Sequence, residues 1–334
     1  MINSSHRNEG PATPPNTCGI PKGSDTDLGN LALQKVIGYG HFGCVWQGTF
    51  QGSSVAVKVF SKKLKWEFNK EKDVYILPLM KHPGIVQFLT AGRMGKEYVL
   101  VLELATEGSL NAFLSRTVCD WRHAVKLALT LSEGLAYLHT DLQNHGVYKP
   151  VVAHGDFSSN NVLVRSDGSC ALCDFGCSTI LQNFRVCQTL EVRHSIAKRG
   201  TFQMGTLCYM APEILDGCVN PSSGHSFLQA DVYSLGLLLW ELLMRCSDLF
   251  KDSPIPEHML PYEPELGHSP THQDLVTFVS EKGLRPTIPD LWGNISQGWS
   301  LREILEDCWD HDEDARLTAQ CAANRLASLP SELF

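Results

Sequence analysis

His154-Gly155-Asp156-Phe157-Ser158-Ser159-Asn160-Asn161, followed closely by Leu172-Cys173-Asp174-Phe175-Gly176, carries the residue types that phosphoryl transfer needs. A carboxylate at Asp156 orients and deprotonates a hydroxyl nucleophile. The amide oxygen of Asn161 and the carboxylate of Asp174 are hard oxygens, the kind Mg²⁺ takes alongside nucleotide phosphates. Either segment alone is also what a turn with a capping Asp looks like. Both together, in this order and at this spacing, point to the chemistry.

A nucleotide has to be held against these groups, and the chain upstream supplies the means. Gly38, Gly40 and Gly43 form a GxGxxG, a pattern shared with dinucleotide-binding folds. Those folds need a helix directly after the glycines, whereas Val45-Trp46-Gln47-Gly48-Thr49-Phe50 reads as a strand running to a turn at Gly52. The glycines therefore cap phosphates from a hairpin, where missing side chains let backbone amides approach. On the next strand, Val55-Ala56-Val57-Lys58 places a lysine where it pairs with the α- and β-phosphates. Lys58→Met is expected to abolish turnover through positioning rather than folding. Residues 66–77 have helical spacing and put Glu71 where it can hold Lys58; Glu67 is the rival partner. Glu71 is preferred because Phe68 and Tyr75 lie at i−3 and i+4, on one buried face with it.

The elements around these groups follow from pattern. Apolar alternation from Leu31 through Val45 and Val55-Val57-Val59 predicts antiparallel strands, continued over 85–90 and 97–103. A break at Gly108 reads as a hinge. Helical spacing then predicts helices over 109–114, 121–139 (capped at Asp120), 231–244, 271–281, 300–309 and 318–328. The fold class is α+β, with a sheet-rich lobe ahead of a mainly helical one.

Composition narrows the function. With 334 residues, 43% of them hydrophobic, the chain has enough core for two lobes. A net charge of −8 without basic runs argues against nucleic acid as a partner. Twelve cysteines without a small secreted framework indicate reduced thiols and an intracellular compartment. Cys170, Cys173 and Cys177 have metal-like spacing but no fourth ligand nearby, so they read as buried thiols. The longest apolar run, Leu235–Trp240, stops at Glu241 and is too short to span a bilayer. Residues 1–29, polar and Pro-rich, read as a disordered tail with no signal peptide. Prolines 254, 256, 261 and 264 mark a structural loop over the helical lobe.

Taken in order, these motifs make the chain similar to the eukaryotic protein kinases from about Leu31 to Ser328. The resemblance implies a bilobal kinase fold: a β-sheet N-lobe over 31–102, a hinge at 103–105, a helical C-lobe over 106–328 and a short tail at 329–334. It implies that ATP and Mg²⁺, with Mn²⁺ as an alternative, are the cofactors. Asp156 then corresponds to the catalytic base, Lys58 and Glu71 to the ion pair, and Asn161 and Asp174 to the metal ligands. Around the nucleotide it places Ile37, Gly38, Gly40, Gly43, Val45, Ala56, Lys58, Leu163 and Cys173, with Glu103 and Ala105 at the adenine hinge and Leu102 as gatekeeper. Ala211-Pro212-Glu213 closes the activation segment, Asp231 braces the catalytic loop and Arg316 pairs with Glu213.

Within that superfamily, the segments 144–154, 156–159, 205–216, 261–267, 305–310 and 313–319 resemble the type II receptors of the transforming growth factor-β family, most of all the anti-Müllerian hormone branch. This implies a receptor serine/threonine kinase acting on a type I receptor kinase, with Smad proteins downstream. Membrane attachment would run through a segment absent from this chain, and the kinase would sit on the cytoplasmic side of the plasma membrane. The chain alone is expected to be cytosolic. Two departures bear on activity. Gly155 stands where the family has Arg, which puts phosphorylation control through Thr189, Ser195 and Thr201 in question. Ser158 stands where Ser/Thr kinases have Lys. A second class of reading is a pseudokinase, a nucleotide-binding scaffold or decoy. The acceptor type turns on Thr206, placed where its hydroxyl bridges to Asp156 in Ser/Thr kinases.

Overall fold

The computed structural model describes residues 26–40, 42–182, 185–186, 204–220, 223–251 and 253–330. Period-2 alternation has the expected result in strands β2 (Ala32–Gly40), β3 (Gly43–Phe50), β4 (Ser53–Phe60), β5 (Phe88–Met94) and β6 (Glu97–Glu103). They form one antiparallel sheet in the order β5-β6-β4-β3-β2. Val55 and Val57 pack with Val99 and Val101 on one face, while Ala56 and Phe60 turn to the other and join the main core. Lys58 lies two residues from both Ala56 and Phe60 and shares their face, so strand geometry alone sends it to the cleft side.

Three expectations about the sheet and the domain's ends are corrected. Thr26–Asp27 (β1) pairs in parallel with Gly92–Arg93, and Leu28 is 6% exposed, so these residues belong to the sheet rather than to a disordered tail over 1–29. At the other end, the Pro330 carbonyl accepts from Trp121 Nε1 at 3.0 Å, which extends the C-lobe past 328. The strand expected over 85–90 runs instead from Phe88 to Met94. A turn at Gly95 fixes its register through Met94↔Glu97, and the Val86 N–H is spent on the Leu172 carbonyl of the other lobe.

The helix α1 (Lys65–Tyr75) lies under the sheet. Phe68, Glu71 and Tyr75 are all buried, as one helical face requires. Beyond the hinge come α2 (Leu110–Arg116), capped by Ser109, and α3 (Trp121–His139), capped by Asp120. The central helix Gly224–Leu243 begins well ahead of the expected residue 231, because Ser226, Phe227 and Leu228 are also buried. It is apolar nearly all round, as a helix in the middle of a lobe is. Gly298–Cys308 and Ala319–Ala327 complete the layer. The expected helix over 271–281 is His272–Leu275 followed by a π-helical turn, Val276–Glu281. Among the described residues no helix is long and apolar enough to cross a membrane.

Between α3 and the catalytic loop, Leu142–Asn144 and Val147–Lys149 form a hairpin around His145-Gly146, both with positive φ. The hairpin delivers Lys149, fully buried, to the C-terminus of α3. There its ammonium donates to the carbonyls of Leu138 (3.1 Å), Thr140 (2.7 Å) and Pro150 (3.2 Å). Lys149→Met strands these acceptors, so a loss of about 3 kcal/mol is expected in chemical denaturation. A loss below about 1 kcal/mol would show that water replaces the ammonium without cost.

Candidate active site

Lys58 reaches the cleft from the middle of β4, and Glu71 meets it from α1. The ammonium lies 2.7 Å from Glu71 Oε2 and 2.8 Å from Asp174 Oδ1. The rival, Glu67, is not part of this cluster. Burial by itself would lower the Lys58 pKa, but the two carboxylates outweigh it and hold the ammonium above its usual range. Burial likewise opposes ionisation of Asp174, and Lys58 overcomes it, so that carboxyl lies below the usual range. Glu71 is different. Burial pushes its carboxyl up to about 7 despite the pull of Lys58.

The catalytic loop hangs from the central helix. Asp231 accepts the N–H groups of His154 (2.6 Å) and Gly155 (2.9 Å), which fixes the chain just before Asp156. His154 donates Nε2–H to the Cys173 carbonyl at 3.1 Å and accepts the Asp156 N–H at Nδ1, which fits a neutral imidazole whose pKa burial lowers. Gly155 has φ +76°, a left-handed backbone that a Cβ disfavours, and it offers no side chain toward the activation segment. Thr189, Ser195 and Thr201 lie outside the described residues. Asn161 donates Nδ2–H to the Asp156 backbone oxygen (2.7 Å) and to Oδ2 (2.9 Å). Its amide is thereby oriented with Oδ1 as the remaining polar atom. Asn161 Oδ1 and Asp174 thus form the hard-oxygen donor set that suits a divalent cation sharing phosphate ligands.

Lys58, Glu71, Asp156, Asn161, Asp174 and Thr206 line one cavity of about 850 Å³ between the lobes. Ile37, Gly38, Gly40, Val45, Ala56, Leu102, Glu103, Ala105, Leu163 and Cys173 line it too. Gly43 does not. A Cβ there would fall 2.1 Å from the Val59 carbonyl, so this glycine answers to strand packing rather than to the cavity. Glu103 spends its carboxylate on Arg165, at 2.5 Å, leaving the backbone as the hinge's contribution. Leu104, inside the expected hinge over 103–105, and Ser158 of the catalytic loop line the cavity as well, and sequence reasoning missed Val86, whose place depended on where β5 begins. Away from the cleft, Arg316 makes two 2.8 Å bonds to Glu213, anchoring Ala211-Pro212-Glu213.

The raised Glu71 carboxyl gives a pH test. Above about pH 7 it is ionised and counters Lys58; below, it is neutral and the ion pair is lost. Catalytic efficiency in ATP turnover is expected to rise through about pH 7, with Glu71→Gln flattening that limb. An unchanged limb in the variant would assign the titration elsewhere. The sign for stability is opposite. A carboxyl raised from 4.5 to about 7 binds a proton in the folded state that the unfolded chain lacks, so its contribution falls as pH rises across that window.

A protein kinase domain model matches residues 31–326. Among curated proteins, the anti-Muellerian hormone type-2 receptor of Homo sapiens is 42% identical over 310 residues, covering 91% of this chain and 54% of that receptor. The receptor of the same name from Oryctolagus cuniculus gives the same figures. Activin receptor type-2A of Homo sapiens is 38% identical over 304 residues, covering 90% of this chain and 57% of that protein. The chain spans about half the length of the curated relatives it matches.

Proposed function

We propose, from the premise that this chain belongs to the protein kinase domain family, that it transfers the γ-phosphate of Mg-ATP to serine or threonine of a type I receptor partner, as the kinase part of a type II receptor. The single observation that carries this reading is the assembled ion pair. Lys58 sits within 2.8 Å of both Glu71 and Asp174 in a cavity that also holds Asp156 and Asn161. A scaffold that bound nucleotide would use this ion pair but has no need of a carboxylate at Asp156 beside it, so catalysis is favoured over the pseudokinase alternative.

In this reading Lys58 fixes the α- and β-phosphates, and Asn161 and Asp174 hold the metal. The metal supplies neutralisation of charge on the phosphates. Asp156 takes the proton from the acceptor hydroxyl. Similarity to receptors named for anti-Müllerian hormone and activin supports placement on the cytoplasmic face of a membrane receptor, with Smad proteins downstream.

The experiment is phosphotransfer by the purified chain from ATP to a type I receptor juxtamembrane segment, with mapped products. Phosphoserine and phosphothreonine are expected. Thr206 lines the cavity with Asp156, and Thr206→Val is expected to slow transfer by about 10²-fold through loss of a positioning hydroxyl. Predominant phosphotyrosine would return the chain to the tyrosine-kinase branch.

A further inference from the structure

A closed ring of hydrogen bonds runs beneath the acceptor side of the cleft through Asn111, Ser115, Ser159, Tyr209, Glu241 and His258. Tyr209 Oη donates to Glu241 Oε2 at 2.5 Å and lies 2.9 Å from Ser159 Oγ. With the phenol hydrogen spent on the carboxylate, Ser159 is the donor in the second bond. Asn111, on α2, donates Nδ2–H to Ser159 Oγ at 3.4 Å and its backbone N–H to the Ser159 carbonyl at 3.1 Å. One turn further along α2, Ser115 Oγ donates to the Asn111 carbonyl at 2.8 Å and lies 3.0 Å from His258 Nδ1. His258 Nε2 lies 2.7 Å from Glu241 Oε1, closing the ring.

A carboxylate only accepts, so Nε2 of His258 carries the hydrogen in its bond to Glu241. Glu241 has no side-chain exposure and His258 has 10%. Arg245, just past this end of the helix, turns its guanidinium to the carbonyls of Leu114 and Pro256, pinning the proline-marked loop that brings His258 in.

We propose that His258 is a positioning residue for the protein acceptor. Its Nε2–H keeps the buried Glu241 carboxylate in place, and through Tyr209 and Ser159 that pair holds the segment before Ala211 against the catalytic loop. The Tyr209 N–H donates to the Thr206 carbonyl at 3.2 Å, and both residues line a small cavity with Gly155 and Asp156. Displacing Tyr209 therefore displaces the residue beside the base. None of the six ring residues lines the nucleotide cavity, so the effect falls on the acceptor and not on ATP. The inference rests on the kinase reading of the site.

The test compares His258→Leu, which strands a buried charge, with Glu241→Gln/His258→Leu, which removes it while the glutamine oxygen still accepts from Tyr209. The single variant is expected to lose about tenfold or more in kcat/KM for the protein acceptor, with the KM for ATP within about twofold. Amides of 206–211 are expected to exchange faster with solvent in the single variant, and the double variant returns both readouts most of the way to wild type. Equal losses in the two variants, equal effects on ATP and acceptor, or unaltered exchange in the single variant would overturn the proposal. If the wild-type chain transfers phosphate to no acceptor, the kinase reading fails, and the exchange comparison still decides whether His258 holds this segment.

Discussion

Asp156→Asn is expected to cut phosphoryl transfer by about 10³-fold while leaving nucleotide affinity within about twofold. The substitution keeps the shape of the side chain. Asn161 Nδ2, now 2.7 Å from the Asp156 backbone oxygen, keeps that bond, and Asp231 still holds the loop through the N–H groups of His154 and Gly155. What disappears is the ability to take a proton from the acceptor hydroxyl as it attacks. Single-turnover transfer from labelled ATP measures the chemical step, and nucleotide titration measures binding. A rate within about tenfold of wild type, or about 1.4 kcal/mol of barrier, would mean that Asp156 is not the base.

The second large effect is expected at Lys58, where the buried surroundings add a cost in stability to the loss of positioning. The ammonium is buried between two carboxylates, one of them on a fully buried residue. Removing it strands Glu71 and Asp174, a loss of about 3 kcal/mol in folding stability, on top of a fall of about 10³-fold in transfer. Protonation of Glu71, whose carboxyl already sits at about 7, limits the cost. Lys58→Met/Glu71→Leu is expected to regain most of the stability in chemical denaturation and none of the activity. Recovery of activity along with stability would show that Lys58 serves packing rather than the phosphates, and unchanged turnover in folded Lys58→Met would sink the kinase reading.

Much of this was legible in the sequence because it is written locally. Strand alternation around Val55-Ala56-Val57-Lys58 sets the side on which Lys58 emerges. The i−3 and i+4 spacing of Phe68 and Tyr75 picks Glu71 over Glu67. Ser109, Asp120 and Thr318 cap their helices within a few residues of themselves, each accepting a backbone N–H in the first turn. The strand after the glycines, where a dinucleotide fold needs a helix, is likewise a local statement.

Only the tertiary structure decided what joins distant segments. Gly43 serves Val59, on the neighbouring strand. Val86 bonds to Leu172 and so moves the start of β5, and Lys149 caps a helix that ended before its own hairpin began. Asn111, Ser159, Tyr209, Glu241 and His258 form one network from five elements. No periodicity marks such partners. Helices and strands repeat every 3.6 and 2 residues because backbone hydrogen bonding is regular, whereas a buried carboxylate accepts any donor that the folded chain brings within about 3 Å, from any distance along it.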